Sequence, residues 1–407
     1  MNQAEGGVVD LRLALDGDLG PIMQAHSRVF GTRSDAMYRA NWKQQTHLED
    51  ILLAVDNQGA ARKIVGTAMY YRMSLCLPGR RQVAVAGGGM TLVEPAHRRR
   101  GIFREMYSEL LRLAQSRGYP VLVGMPSQGT IYRRFGRGPA TQAQSITIDR
   151  RRANLCVPTK MPHTIDSCDS TEAMRTVPAR YAAYSATTPG TVSRSGTWWD
   201  LYFAGEGFRG VEQSERFYFV HPDGYAAYRI QQGAGHAAVK VDEVCAATDQ
   251  AHSDLWAAIL GLEAFDTVTA EISPSDPLAL KLVDIRAVRV TNLRDVMWLR
   301  ILDVPAALSA REYASDGQLV IRVDDPIDLS GGTFRLTVYG GIACCERVDA
   351  DPELLLSLDD LSSLYLGGFD VHQLLRAGRL HAVNPKALAV AESMFFCAER
   401  PFCSTYF

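Results

Sequence analysis

The chain has little of what several large classes of protein require. Its eight cysteines, at 76, 156, 168, 245, 344, 345, 397 and 403, form no CxxC pair. Zinc ribbons and thioredoxin-type redox centres need that spacing, so no metal site is expected. The thiols are expected to serve as small core residues in a reduced cytoplasm, and the adjacent Cys344 and Cys345 as core thiols of a strand. There is no excess of either charge: 43 Lys and Arg face 45 Asp and Glu, a formal net charge of −2 over 407 residues. That balance argues against nucleic-acid binding through bulk charge. Long apolar runs are missing too. The richest, such as "PVLVGM", fall far short of the ~20 residues that cross a bilayer. The start, "MNQAEGGVVDLRLAL", has no basic region leading into an apolar stretch, so no signal peptide is expected. No short tandem repeat is visible.

What the chain does have is alternation. Its length suggests two or three domains. "DLGPIMQAHSRVFG" carries Ile22, Met23, His26 and Val29 along one side of a helix. "TAMYYRMSLCLPG" and "RQVAVAGGGMTLVEP" read as strands. "GIFREMYSELLRLAQSRGY" is an amphipathic helix with Gly118 at its end, and "PVLVGMPS" a short buried strand. A strand, a helix and a parallel strand make a βαβ unit. Near residue 150 the composition turns Pro-rich and polar. Mixed α/β patterns then resume, including the hairpin "RFYFVHPDGYAAYRI" with its "PDG" turn. From about 284, "QLVIRVDDP", "TFRLTVYG" and "GIACCERV" read as antiparallel strands. The expected division is 1–150, 151–283 and 284–407.

The densest cationic run lies at the mouth of a helix, in "VEPAHRRRGIFREMY" at residues 93–107. The first amides of a helix have no intrahelical partner, and the helix dipole adds roughly half a positive charge there. Such an end stabilises a phosphate, and arginines just before it add donors and charge. A glycine at 101 permits close approach. Arg98, Arg99, Arg100, Gly101 and Ile102 therefore read as a pyrophosphate cradle. His97, just before them, is a weaker candidate for a phosphate contact. The spacing is that of the Gcn5-related N-acetyltransferase (GNAT) motif R/Q-x-x-G-x-G/A, with Phe103 in place of the small last residue. In that fold two parallel strands splay and the pantetheine arm of coenzyme A inserts between them. Its expected contacts are Met90, Thr91 and Val93 on the first strand and Ser127 past the second.

With "PSQGTIYRRFGRGPAT", "VMWLRILDVPAAL", "LSSLYLGGFDVHQLLRAGRL" and the terminal "PFCSTYF", the whole chain resembles the Eis (enhanced intracellular survival) acetyltransferases of actinobacteria. The resemblance implies an α/β (α+β) architecture: two tandem GNAT-like domains, the second degenerate, followed by a sterol-carrier-protein-like (SCP2-like) domain. It implies a homohexamer. It implies transfer of an acetyl group from acetyl-CoA to a primary amine, with Tyr132 as general acid toward the departing thiolate and the C-terminal carboxylate of Phe407 as general base. Trp42 and Tyr406 are expected to border the acceptor. Aminoglycosides and other polyamines are the family's acceptors, yet "RVFGTRSDAMYR" sets Arg28, Arg33 and Arg39 against Asp35. That favours a less cationic amine, for example an intermediate of a specialised metabolic pathway. Two other readings stand beside this one. The donor is another acyl-CoA or a carrier-protein thioester, with the arginines facing an acyl carrier protein. Or the chain is a non-enzymatic lipid or small-molecule carrier.

Overall fold

A computed structural model describes residues 9–31, 36–57, 62–157, 165–207, 210–211, 214–232 and 237–407. It holds two seven-stranded sheets, one five-stranded sheet and a two-stranded ribbon.

The first sheet runs, in spatial order, Val9–Leu13, Ile51–Asp56, Lys63–Cys76, Gln82–Val93, Val121–Gly124, Trp298–Ile301 and Gly138–Pro139. Side chains of a strand alternate between faces. Leu53 and Val55 pack with Ile22 and Met23 of helix Leu19–Phe30. Leu52 and Ala54 pack on the other face with Ile102, Met106 and Leu110 of helix Ile102–Ser116. Burying both faces explains why these strands read as nearly continuous apolar runs. Gly118 takes φ +81° just past that helix, the conformation a C-terminal glycine supplies.

The second sheet is ordered Val288–Asp295, Gln142–Asp149, Thr267–Ile272, Ala237–Ala246, Gly224–Gln232, Arg216–His221 and Asp166–Cys168. The third is Ile342–Arg347, Gly332–Tyr339, Gly317–Asp324, Leu354–Ser357 and Leu380–Ala382. Two segments cross between units. Strand Gln142–Asp149 falls within the expected first unit, 1–150, but hydrogen-bonds inside the second sheet. Strand Trp298–Ile301 adds to the first sheet beside Val121–Gly124, with Trp298 opposite Gly124. The fully buried pair of Arg300 with Asp325, 2.8 Å apart, then ties the first sheet to the third unit.

Of the cysteines, 76, 245, 345 and 403 are buried. Cys344 is exposed, against the expectation for the Cys344–Cys345 pair, because adjacent residues of strand Ile342–Arg347 face opposite ways. No described helix is long and apolar enough to cross a membrane.

Candidate active site

The parallel strands Gln82–Val93 and Val121–Gly124 are hydrogen-bonded only at Ala86–Leu122 and Gly87–Val123. The first then runs on to Val93 while the second ends, so the sheet opens into a cleft. A side chain at 124 would close it: a Cβ there meets the Gly88 carbonyl at 2.7 Å and the Arg137 guanidinium at 2.8 Å. Met90 adopts φ +44° within a register shift, and the Thr67 hydroxyl donates to its carbonyl at 2.7 Å. Past Val93 the chain makes a turn at Pro95–His97 and reaches the arginines. Arg98 turns its Nε back onto the Val93 carbonyl at 3.2 Å, leaving the rest of the guanidinium in the exposed loop. Arg99 (φ +64°) and Gly101 (φ +82°) bend the backbone into the helix start. Gly101 is the N-cap and supplies no side chain to the free amides, while Ile102 anchors the first turn in the core. His97 faces Asp56 at 3.1 Å. A cavity of about 680 Å³ covers this loop, bounded by Thr91, Val93, Arg98, Arg99, Phe103, Ser127 and Tyr132.

Tyr132 sits on the short helix Gly129–Arg133 and is 8% exposed. Phe103 lies among Tyr107, Tyr132 and Phe135, with ring centroids 5.5–6.0 Å away. The residue that departs from the motif is thus a wall of the tyrosine's pocket. Burial pushes the Tyr132 pKa above its usual value and Tyr107 adds to this; Arg137 and Ser127 act against it. Arg137, 4.9 Å from the tyrosine ring, is held by the Gly124 carbonyl at 2.7 Å. The next residue, Arg133, reaches Asp359 of the third unit at 2.9 Å. The helix bearing Tyr132 is therefore braced from two sides.

The last seven residues thread between the units. The Phe402 amide donates to the Pro189 carbonyl at 3.0 Å. Phe407 is 8% exposed and lies over Gly87, where a Cβ would stand 3.1 Å from its ring. Gly87 is the last residue of the paired stretch, so the Phe407 ring lies where the strands part. Arg194 holds the segment before it. It donates to Thr405 Oγ1 at 2.9 Å and Ser404 Oγ at 3.3 Å, and pairs with Glu243 at 2.7 Å. Tyr181 and Trp198 cover the guanidinium at 3.7 and 4.2 Å, and Trp198 Nε1 donates to the Tyr406 carbonyl at 3.1 Å. Burial works to raise the Glu243 pKa, but the Arg194 charge and hydrogen bonds from Arg194, Tyr225 and Tyr202 hold it at about 2.

A second cavity, about 600 Å³, lies on the far side of this tail, bounded by Met125, Pro126, Trp198, Tyr202, Glu271, Arg294 and Tyr406. Met125 and Pro126 line it, and the next residue, Ser127, lines the first.

The structure thus brings Thr91, Val93, Arg98, Arg99, Gly101, Ile102, Ser127 and Tyr132 to one cavity and sets Tyr406 on the other. Met90 and Arg100 sit in the same loop-and-strand segment. Trp42 is 2% exposed in the core beside Ile22 and lines neither cavity; its helix, Ala36–Gln45, packs on Gly196–Phe203, the helix of Trp198. Arg33 and Asp35 lie outside the described residues, as does the Arg39 side chain. Arg28 is engaged by the buried Glu94 at 2.5 Å. Sequence reasoning missed Arg137, Arg194 and Glu243. Arg137 stands among other arginines and Glu243 beside Asp242, so nothing in the sequence singles them or Arg194 out, and only the fold gives each its partner.

Comparison with known proteins agrees with this geometry. Profiles of the acetyltransferase (GNAT) domain match residues 10–140 and 190–301, and a sterol carrier protein domain matches 304–404. The N-acetyltransferase Eis of Mycobacterium bovis is 35% identical over 361 residues, covering 87% of this chain and 88% of the relative. The chain belongs to the Eis family of N-acetyltransferases. An uncharacterized N-acetyltransferase of Streptomyces griseus is 31% identical over 369 residues, covering 86% and 89%. The crystal structure of Eis1 from Mycobacterium abscessus superposes with a TM-score of 0.88 at 29% identity, over 98% of this chain and 100% of that one. This Eis-family chain is accordingly an acetyltransferase with two GNAT units and a sterol-carrier-type unit, not a non-enzymatic carrier.

Proposed function

We propose that the protein transfers an acetyl group from acetyl-CoA to a primary amine of a small molecule by direct attack. GNAT acetyltransferases use acetyl-CoA, and the residues here suit it. The uncapped helix start and exposed arginines suit the pyrophosphate, with Arg98–Arg100 and Gly101 as its seat. The cleft edged by Met90, Thr91 and Val93 suits the pantetheine arm, with Ser127 at its far end.

The amine nitrogen attacks the thioester carbonyl. A C–N bond forms, the C–S bond breaks, and two protons must move. The attacking amine loses one, for which the Phe407 carboxylate is the proposed base. The departing thiolate gains one, for which the Tyr132 hydroxyl is the proposed acid. A tyrosine whose pKa is raised by burial keeps its proton at neutral pH until a thiolate needs it. One observation carries the reading: the Phe407 ring packs on Gly87, at the point where the cleft opens, with Tyr132 lining that cleft. The protein is further proposed to act as a homohexamer in the cytoplasm, which light scattering in solution and fractionation would check.

The exposure of Arg98, Arg99 and Arg100 also favours a second reading, in which a carrier-borne thioester docks its acidic surface there. One assay separates the two. Free thiol is followed with a primary amine and, in turn, acetyl-CoA, S-acetyl-pantetheine and acetyl-loaded carrier protein. The proposal expects acetyl-CoA to be preferred at least tenfold over S-acetyl-pantetheine. Preference for the carrier protein would replace it with the second reading.

A further inference from the structure

The second cavity contains four acidic side chains, of which Asp242, Glu243 and Glu271 are neutralised by neighbouring arginines. Asp242 accepts from Arg216 at 3.1 Å and Arg229 at 2.6 Å, with Lys240 at 3.7 Å. Glu243 is matched by Arg194 and also receives the Tyr202 and Tyr225 hydroxyls. Glu271 is held in a two-pronged pair by Arg294, at 2.6 and 3.2 Å. Asp295 accepts the Trp298 indole N–H at 2.5 Å. A polycation draws affinity from carboxylates it can pair with, and Asp242, Glu243 and Glu271 are already paired with arginines, while Asp295 meets a neutral donor. Displacing a buried guanidinium such as Arg194 would strand its charge.

What the cavity offers instead is aromatic surface. Trp198 and Tyr202 are stacked at 5.1 Å and 21°, and Tyr406 stands beside them, its backbone carbonyl fixed by the Trp198 indole. Met125 and Pro126 line the end nearest Ser127 and the first cavity. Arg194 and Arg216 already lie over the faces of Trp198 and Tyr202, at 4.2 and 3.8 Å, so these rings present their edges to an apolar body rather than a face to a cation.

We propose that the acceptor is a monoamine on an aromatic or otherwise apolar body, not a polyamine. This rests on the transferase reading above. The amine end lies toward residues 125–127 and the body lies along Trp198, Tyr202 and Tyr406.

The test measures kcat/KM with acetyl-CoA for tryptamine, spermidine and kanamycin. Tryptamine should exceed both others by tenfold or more. A higher value for spermidine or kanamycin overturns the proposal. Arg294→Met and Glu271→Gln sharpen it, both at a pair that is partly solvent-exposed. Arg294→Met releases a carboxylate into the cavity and should raise the spermidine-to-tryptamine ratio several-fold; an unchanged or lower ratio counts against the account. Arg294→Met together with Glu271→Gln removes the pair without leaving an open charge and should leave the wild-type ratio within twofold. A tenfold loss for spermidine alone in the double variant would show that Glu271 serves the acceptor, and would overturn it. If no amine gives thiol release although acetyl-CoA binds in an equilibrium titration, the transferase reading itself fails, and the choice of amine falls with it.

Discussion

The two cavities on either side of residues 125–127 are built in opposite ways. The donor side is made from one contiguous stretch, residues 90–103, with Ser127 and Tyr132 close behind. The proposed acceptor side is assembled from the residues just past a strand of the first sheet, helix Gly196–Phe203, five strands of the second sheet and residues 403–406. The donor side relies on backbone amides and a few exposed charges. The acceptor side relies on buried charge pairs that hold a chain terminus in place. A phosphate can be met by local geometry, because a helix start supplies it. A terminus that must arrive at a given point needs long-range fixtures, and in this chain those fixtures are Arg194 and Glu243.

This contrast predicts unequal sensitivities. Tyr132→Phe removes only the hydroxyl between the two sides. It should lower kcat by ~10²-fold or more while CoA affinity stays within twofold; unchanged turnover in steady-state kinetics would take Tyr132 out of the chemistry. Arg194→Ala leaves Glu243 buried without its countercharge. It should destabilise the fold by about 3–5 kcal/mol in denaturant melts and expose the tail to carboxypeptidase. A variant with wild-type stability and a protected tail would mean that the clamp holds nothing.

Acid should reproduce that release in milder form. The folded-state pKa of Glu243, about 2, lies below its usual 4.5. Its contribution is therefore fully present above pH 4.5 and is lost as pH falls toward 2, by about 3 kcal/mol in all. Glu243→Gln should flatten that part of the stability profile; an equally steep profile in the variant would assign the acid sensitivity elsewhere. The smallest effect belongs to the donor side. Arg98→Ala should weaken CoA binding by about 1–3 kcal/mol in calorimetry, as loss of one charged hydrogen-bonding group does, without altering stability. Equal affinity for both forms would argue for a donor without the adenosine phosphates.

The same contrast explains what was legible in the sequence. The donor motif, its flanking strands and its helix could be read because their chemistry is local. Gly101 needs positive φ and Arg98 needs only the turn it sits in. The three-unit architecture was legible through resemblance over the whole chain. Strand exchange was not. Nothing in "MWLRIL" says that Trp298 lies opposite Gly124 rather than with its sequence neighbours, because a short apolar strand fits any buried sheet. Trp42 was expected at the acceptor and is buried in the first core. A tryptophan on a helix gives the same signal in either place. The Arg194–Glu243 pair was invisible for a simpler reason: its members are 49 residues apart and meet only when the second sheet forms.

The central claim is that the terminal carboxylate of Phe407 takes the proton from the amine. Adding a single glycine after Phe407 leaves its side chain free to pack on Gly87 and moves the carboxylate one residue on. The account predicts that kcat with acetyl-CoA and the preferred amine falls by tenfold or more, with CoA affinity and melting temperature unchanged. Full turnover by the extended chain would contradict it.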